Sequence, residues 1–169
     1  MKDDFDLSNL KTPKKRINSR SKGSAFERKI CNLFNSTFET KEFCRTPGSG
    51  AFATTHSLPE HLKIHGDLIT PENFKYIIEC KKGYNKENLS SLFSSNSKLI
   101  EFINQAKKDS IRANKPFMLI WQQDRSDILC ILDKHIFPSY LDFKSLIYKD
   151  YIIVRLKDLL KAEINFWFN

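Results

Sequence analysis

A chain of 169 residues with 40% hydrophobic and 12% aromatic content, fourteen phenylalanines among them, carries enough apolar material for one packed domain and excludes wholesale disorder. No apolar run approaches the roughly 18 to 20 residues that a bilayer-spanning helix needs. The balance of 28 Lys and Arg against 20 Asp and Glu leaves a net charge of +8, which favours a polyanionic partner such as nucleic acid.

Residues 1–10 are acidic and lack both a hydrophobic signal core and a small-residue cleavage site, so an intracellular, non-secreted setting is expected. Residues 1–22 hold few large apolar side chains and a basic cluster that includes Lys11, Lys14, Lys15, Arg16, Arg20 and Lys22. They read as a flexible arm ahead of a single domain at 23–169, serving either as a solvated tail or as a contact for backbone phosphates. The four cysteines, Cys31, Cys44, Cys80 and Cys130, form no CxxC pair and read as reduced, mostly buried thiols. A zinc set drawn from Cys44, His56, His61 and His65 fits no structural-zinc spacing.

From Ser24 the apolar residues Phe26, Ile30, Leu33, Phe34 and Phe38 recur at helical steps, with Ser24 placed as an N-cap three residues before Glu27. The helix is expected to end near Phe38. A short strand at 42–45 then meets the turn-rich Thr46-Pro47-Gly48-Ser49-Gly50, which opens a loop reaching about Leu62. Strands at 64–69 and 74–80 read as a hairpin around Thr70-Pro71-Glu72-Asn73. After a polar span at 83–97, Leu99, Phe102, Ile103 and Ala106 predict a helix to about Asn114, stopped by Pro116. Strands at 117–121, 128–132 and 151–154 and a short helix from Lys157 complete an α/β or α+β domain on a mixed sheet.

The segment Gly66-Asp67 followed by Ile78-Glu79-Cys80-Lys81 carries the chemistry. Strand alternation projects Glu79 and Lys81 from one face and Ile78 and Cys80 from the other. If the two strands pair, Asp67 lies near Glu79, and two carboxylates that close repel unless a cation separates them. Oxygen ligands of this kind suit Mg2+, which uses one or two carboxylates with water and substrate phosphates. Acid-any-Lys occurs four times in the chain, and only the Glu79 copy ends an apolar strand; its bland alternative is a surface salt bridge. Glu27 sits at the edge of the first helix's packed face, as a third carboxylate or as a helix-capping or surface glutamate. The loop at 45–50 offers a guanidinium, a hydroxyl and backbone N–H groups to a phosphate, or is an ordinary turn.

Taken in order, Lys22-Gly23-Ser24-Ala25-Phe26-Glu27-Arg28, Arg45-Thr46-Pro47-Gly48-Ser49-Gly50-Ala51, Gly66-Asp67 and Ile78-Glu79-Cys80-Lys81 resemble the PD-(D/E)xK nuclease superfamily, with the nearest likeness to Holliday junction resolvases of archaeal type. The resemblance implies a restriction-endonuclease-like mixed β-sheet flanked by helices. It assigns Glu27, Asp67 and Glu79 to an acidic metal site and makes Lys81 the catalytic lysine. Ser49 matches the serine of the resolvase loop and Arg45 its nearby arginine. Gln105 resembles the helix glutamine of the RecB-like nucleases, where Asp109 replaces the usual tyrosine. Gly66 stands where the motif's proline is missing.

The reading that results is a metal-dependent endodeoxyribonuclease. Mg2+, with Mn2+ able to substitute, is held by Asp67, Glu79 and the Cys80 carbonyl, lowers the pKa of a bound water and offsets transition-state charge. Lys81 orients or helps deprotonate that water, Glu27 completes the metal shell, and Gln105 positions Lys81 or a phosphate. Lys14, Lys15, Arg16, Arg20, Lys22, Arg28, Arg45, Ser49 and Lys82 are the expected DNA contacts. Branched DNA is the expected substrate, cut by a homodimer because a four-way junction needs two symmetric cuts. Alternatives are a nicking, restriction-like or RecB-like nuclease, or a noncatalytic nucleic-acid-binding protein. Phe166-Trp167-Phe168 is either a dimer face or a buried terminal anchor.

Overall fold

The computed structural model describes residues 19–47, 65–94, 96–139 and 141–169. Lys14, Lys15, Arg16, Ser49, His56, His61 and nearly all of the expected 46–62 loop lie outside them. Helix α1 spans Ser19–Thr37 and is followed by strand β1, Cys44–Arg45, and strand β2, Leu68–Ile69. Strand β3 is Ile77–Lys82, helix α2 is Lys98–Ala113, and strands β4 to β7 are Phe117–Gln122, Leu129–Asp133, Ser145–Tyr148 and Tyr151–Arg155. Two one-turn helices, α3 at Leu156–Leu159 and α4 at Ile164–Trp167, close the chain.

The main sheet has the order β3-β4-β5-β7-β6, parallel only between β3 and β4 and antiparallel elsewhere. Alternating residues bury both faces. Ile78, Cys80, Met118, Ile120, Cys130 and Leu132 pack under α1 through its Phe26, Ile30 and Phe34. Ile77, Phe117, Leu119, Trp121 and Ile131 pack under α2 through Leu99, Phe102, Ile103 and Ala106. This is the mixed sheet flanked by helices that the sequence implied. Among the described residues no helix is long and apolar enough to cross a membrane.

Four local expectations are corrected. Helix α1 begins at Ser19, so Ser24 is helical and no N-cap, and Arg20 and Lys22 belong to the first turn of α1. The expected hairpin does not form: β2 pairs antiparallel with β1, Arg45 opposite Leu68, while β3 joins the main sheet. Between Gly83 and Ser97 lies a 3-10 turn, Leu89–Phe93, capped by Asn88. Strand β6 was not foreseen, because Leu146 and Ile147 are exposed and give no alternating pattern.

The carboxy terminus is a buried anchor. Trp167 is wholly buried, with its ring 5.7 Å from Phe34 and 6.1 Å from Phe74, and the Phe166 carbonyl accepts the Tyr76 hydroxyl at 3.0 Å. Lys75 N–H donates to the Trp167 carbonyl at 2.9 Å, so the terminal turn is bonded to the segment leading into β3. All four cysteines are free thiols, three buried and Cys44 exposed.

Candidate active site

Strand β3 is an edge strand, and its open side is met by the residues just before β2. Asp67 N–H donates to the Ile78 carbonyl at 2.8 Å, and Asp67 Oδ2 accepts the Cys80 N–H at 2.8 Å. On its other flank the Asp67 carbonyl accepts Thr46 N–H at 2.9 Å, while the buried Thr46 hydroxyl donates to the Gly66 carbonyl at 3.2 Å. Asp67 is thereby fixed through both backbone and side chain. Gly66 makes the approach possible: its φ is +80°, and a Cβ there would lie 2.5 Å from the Ile78 carbonyl oxygen. Proline, with φ held near −65°, cannot adopt that conformation, which accounts for glycine before the acid.

Glu79 and Lys81 share the face of β3 that looks toward α2, as alternation requires. Lys81 Nζ pairs with Glu79 Oε1 and sits 5.5 Å from the centre of the Phe102 ring. Gln105, one turn further along α2, donates Nε2 to the same Glu79 oxygen at 2.8 Å. Gln105 therefore holds Glu79 at the oxygen that also pairs with Lys81. Glu27 is buried on the α1 stripe with Ile30, Cys31 and Phe34, and its carboxylate pairs with Arg45 Nε. Arg45 is thus drawn to a buried acid that would be costly to leave unpaired, and is not a free phosphate ligand here.

These groups open onto one pocket of about 710 Å³, lined among others by Glu27, Asp67, Glu79, Lys81, Gln105 and Asp109. Lys22, Lys82, Gly83 and Tyr84 also line it. Lys22 and Lys82 both pair with Asp124, while Arg20 and Arg28 lie exposed on α1. Tyr84 and Asp124 were not singled out in the sequence. Tyr84 follows the positive-φ Gly83 and has a positive φ itself, and Asp124 meets its partners only through the fold.

Burial, opposed by the Cys80 N–H bond and the Lys81 charge, raises the Asp67 pKa. Burial and then the Asp67 charge push Glu79 from 4.5 up to about 7. For Lys81, burial works against the ammonium, but Glu79 and Asp67 together outweigh it and hold its pKa above the usual lysine range. The two acids thus favour the ammonium form of Lys81.

Among the described residues no three His, Cys, Asp or Glu side chains converge into a ready-made metal cage. Mg2+ asks for less, since one or two carboxylates suffice when water and phosphate complete the shell. Asp67 and Glu79 are hard oxygen donors whose mutual repulsion a divalent cation would relieve, so the donor set fits that ion. The edge geometry adds a third oxygen by alternation: Cys80 presents its carbonyl to the same side as Ile78.

Comparison with known proteins bears on the chain as a whole. Protein D14 of Escherichia phage T5 is 32% identical over 123 residues, covering 69% of this chain and 72% of that protein. No solved structure matches the chain. A family model described as "Phage putative PDDEXK endonuclease" matches residues 18–166, a span that includes Glu27, Asp67, Glu79 and Lys81. The chain belongs to this phage PDDEXK endonuclease family, and hence to the PD-(D/E)xK superfamily, which points to a nuclease.

Proposed function

We propose that the protein is a Mg2+-dependent endonuclease that hydrolyses DNA phosphodiester bonds and prefers branched DNA, four-way junctions in particular. The observation that carries this reading is the buried pair Asp67 and Glu79, both with raised pKa, opening with an ammonium onto one pocket. Asp67, Glu79 and the Cys80 carbonyl would hold the ion, with Mn2+ able to replace it; when bound, it supplies Lewis acidity to the scissile phosphate and its attacking water. Lys81 offsets charge that develops on the phosphate. Gln105 orients Glu79, and Glu27 stands at the pocket wall as a further acid. Lys22, Arg28 and Lys82, with Arg20 and the basic residues before it, would meet backbone phosphates on an intracellular substrate.

Preference for junctions rests on the likeness of residues 22–28 and 45–51 to archaeal-type resolvases, and a homodimer would match the two symmetric cuts. The test is a cleavage panel of four-way junction, flap, nicked, single-stranded and linear duplex DNA, with Mg2+ or with EDTA, at about physiological salt where nonspecific binding is weakened. Junction cleavage that needs Mg2+ and disappears in folded Glu79→Ala is expected. Undiminished cleavage by Glu79→Ala would remove the proposed metal site. Equal cleavage of junction and linear duplex would leave a general DNA nuclease.

A further inference from the structure

The turn between β4 and β5 carries an acid toward which two of the pocket's cations bend. Lys22, in the first turn of α1, reaches Asp124 Oδ2 at 2.5 Å across 102 residues of sequence. Lys82, the last residue of β3, stands 3.6 Å from Asp124 Oδ1 and donates to Gln122 Oε1 at 2.9 Å. Asn85 completes the cluster: its Nδ2 donates to Asp124 Oδ2 at 2.9 Å, and its Oδ1 accepts the Asp124 N–H at 3.0 Å. Each carboxylate oxygen thus faces one lysine, as two oxygens of a phosphate would.

We infer that Asp124 is a built-in stand-in for a DNA phosphate, holding Lys22 and Lys82 at the pocket rim and limiting how tightly DNA is gripped without regard to shape. The assignment rests on the DNA reading above. Both lysines line the catalytic pocket, and together with Asp124 they leave a net charge of +1 where two free cations would give +2. The side chains of Lys22 and Asp124 are 34% and 36% exposed, so their pair is open to water and to competing anions. A phosphate that takes the lysines leaves Asp124 to gather a cation from solution. That uptake cancels about one of the counterions shed by the DNA, so the acid lowers both the affinity and its salt dependence. A substrate whose shape supplies further contacts can overcome the competition more readily than a linear duplex can.

The test measures binding of a linear duplex by fluorescence anisotropy in EDTA, from 50 to 200 mM salt, for the wild type, Asp124→Asn and Asp124→Ser, with folding checked by thermal melting. Removal of the acid should tighten binding at 50 mM and steepen the slope of log affinity against log salt by about 0.9, so that the advantage shrinks by about 3- to 4-fold at 200 mM. Asp124→Ser carries the same expectation if the asparagine variant does not fold. Asp150→Asn makes the same charge change in the turn between β6 and β7. That turn lies two strand spacings, about 10 Å, across the sheet and at the other end of β5, about 14 Å along its length, which puts it beyond the screening length of about 10 Å, and it should leave both affinity and slope unchanged. Unchanged binding by the folded Asp124 variants, or an equal gain in Asp150→Asn, would overturn the assignment. A wild type that binds no DNA at any salt would instead overturn the DNA reading itself.

Discussion

Gly66→Ala probes the contact on which the geometry of Asp67 depends. The backbone there has φ of +80°, a conformation that costs an alanine about 1–2 kcal/mol. The added Cβ would lie 2.5 Å from the Ile78 carbonyl oxygen, at least half an ångström inside the shortest contacts that Cβ atoms make. Because the obstacle is backbone, no side chain can swing aside, and the segment must withdraw from β3. Withdrawal stretches the 2.8 Å bond from Asp67 N–H to Ile78, whose loss costs about 1 kcal/mol. The sum is about 2–3 kcal/mol, to be read from urea unfolding at an unchanged m-value. Cleavage should fall further than stability explains, by about 100-fold for a displacement near 1 Å, because Asp67 moves with the segment. Gly66→Asn accepts the positive φ but keeps the clash, so it should recover little. A loss under about 0.5 kcal/mol with full activity would refute this account of Gly66.

Glu79 makes metal-free stability fall with rising pH. Its folded pKa of about 7 exceeds the ordinary 4.5, so its stabilising contribution is complete below about pH 4.5 and is lost as pH rises through 7. The full loss is about 3 kcal/mol at most, and thermal melts in EDTA from pH 4.5 to 8 should show the decline; Glu79→Gln or saturating Mg2+ should flatten it. Lys81→Ala should abolish cleavage and yet retain Mn2+ binding in calorimetry, because the ammonium serves the phosphate and not the cation. Loss of Mn2+ binding by the folded variant would make Lys81 architectural. Trp167→Ala should cost about 3–5 kcal/mol in urea unfolding, as expected for a wholly buried aromatic, and a small change would return Phe166-Trp167-Phe168 to candidacy as a dimer face.

Helix α2 and strands β4 and β5 were legible because their signals are local: a 3.6-residue apolar period, a proline stop, and apolar runs buried on both faces. Glu27 was legible in the same way, from its helical phase beside Ile30, Cys31 and Phe34. The partner of β2 was not. Short loops favour a hairpin, but the positive φ of Gly66 turns the chain so that Asp67 meets β3 with one backbone bond and β2 is left to pair with β1. Pairings across long sequence separations were equally hidden. Gln105 with Glu79, Arg45 with Glu27, and Lys22 with Asp124 arise only when separate elements converge, and they divert two cations that the sequence offered to DNA.

Asp67 also guards a sheet edge. An unpaired edge strand invites another chain to add to it, and the exposed ladder groups are the template for aggregation. At β3 the Ile78 carbonyl and the Cys80 N–H are already taken, one by the Asp67 backbone and one by its carboxylate. Alanine at position 67 would release the Cys80 N–H and reopen the template, so poor solubility in that variant would say nothing about catalysis. Asparagine keeps an oxygen for the Cys80 N–H, so Asp67→Asn is the variant expected to stay soluble while losing cleavage, and it suits crystallisation with the proposed DNA substrate.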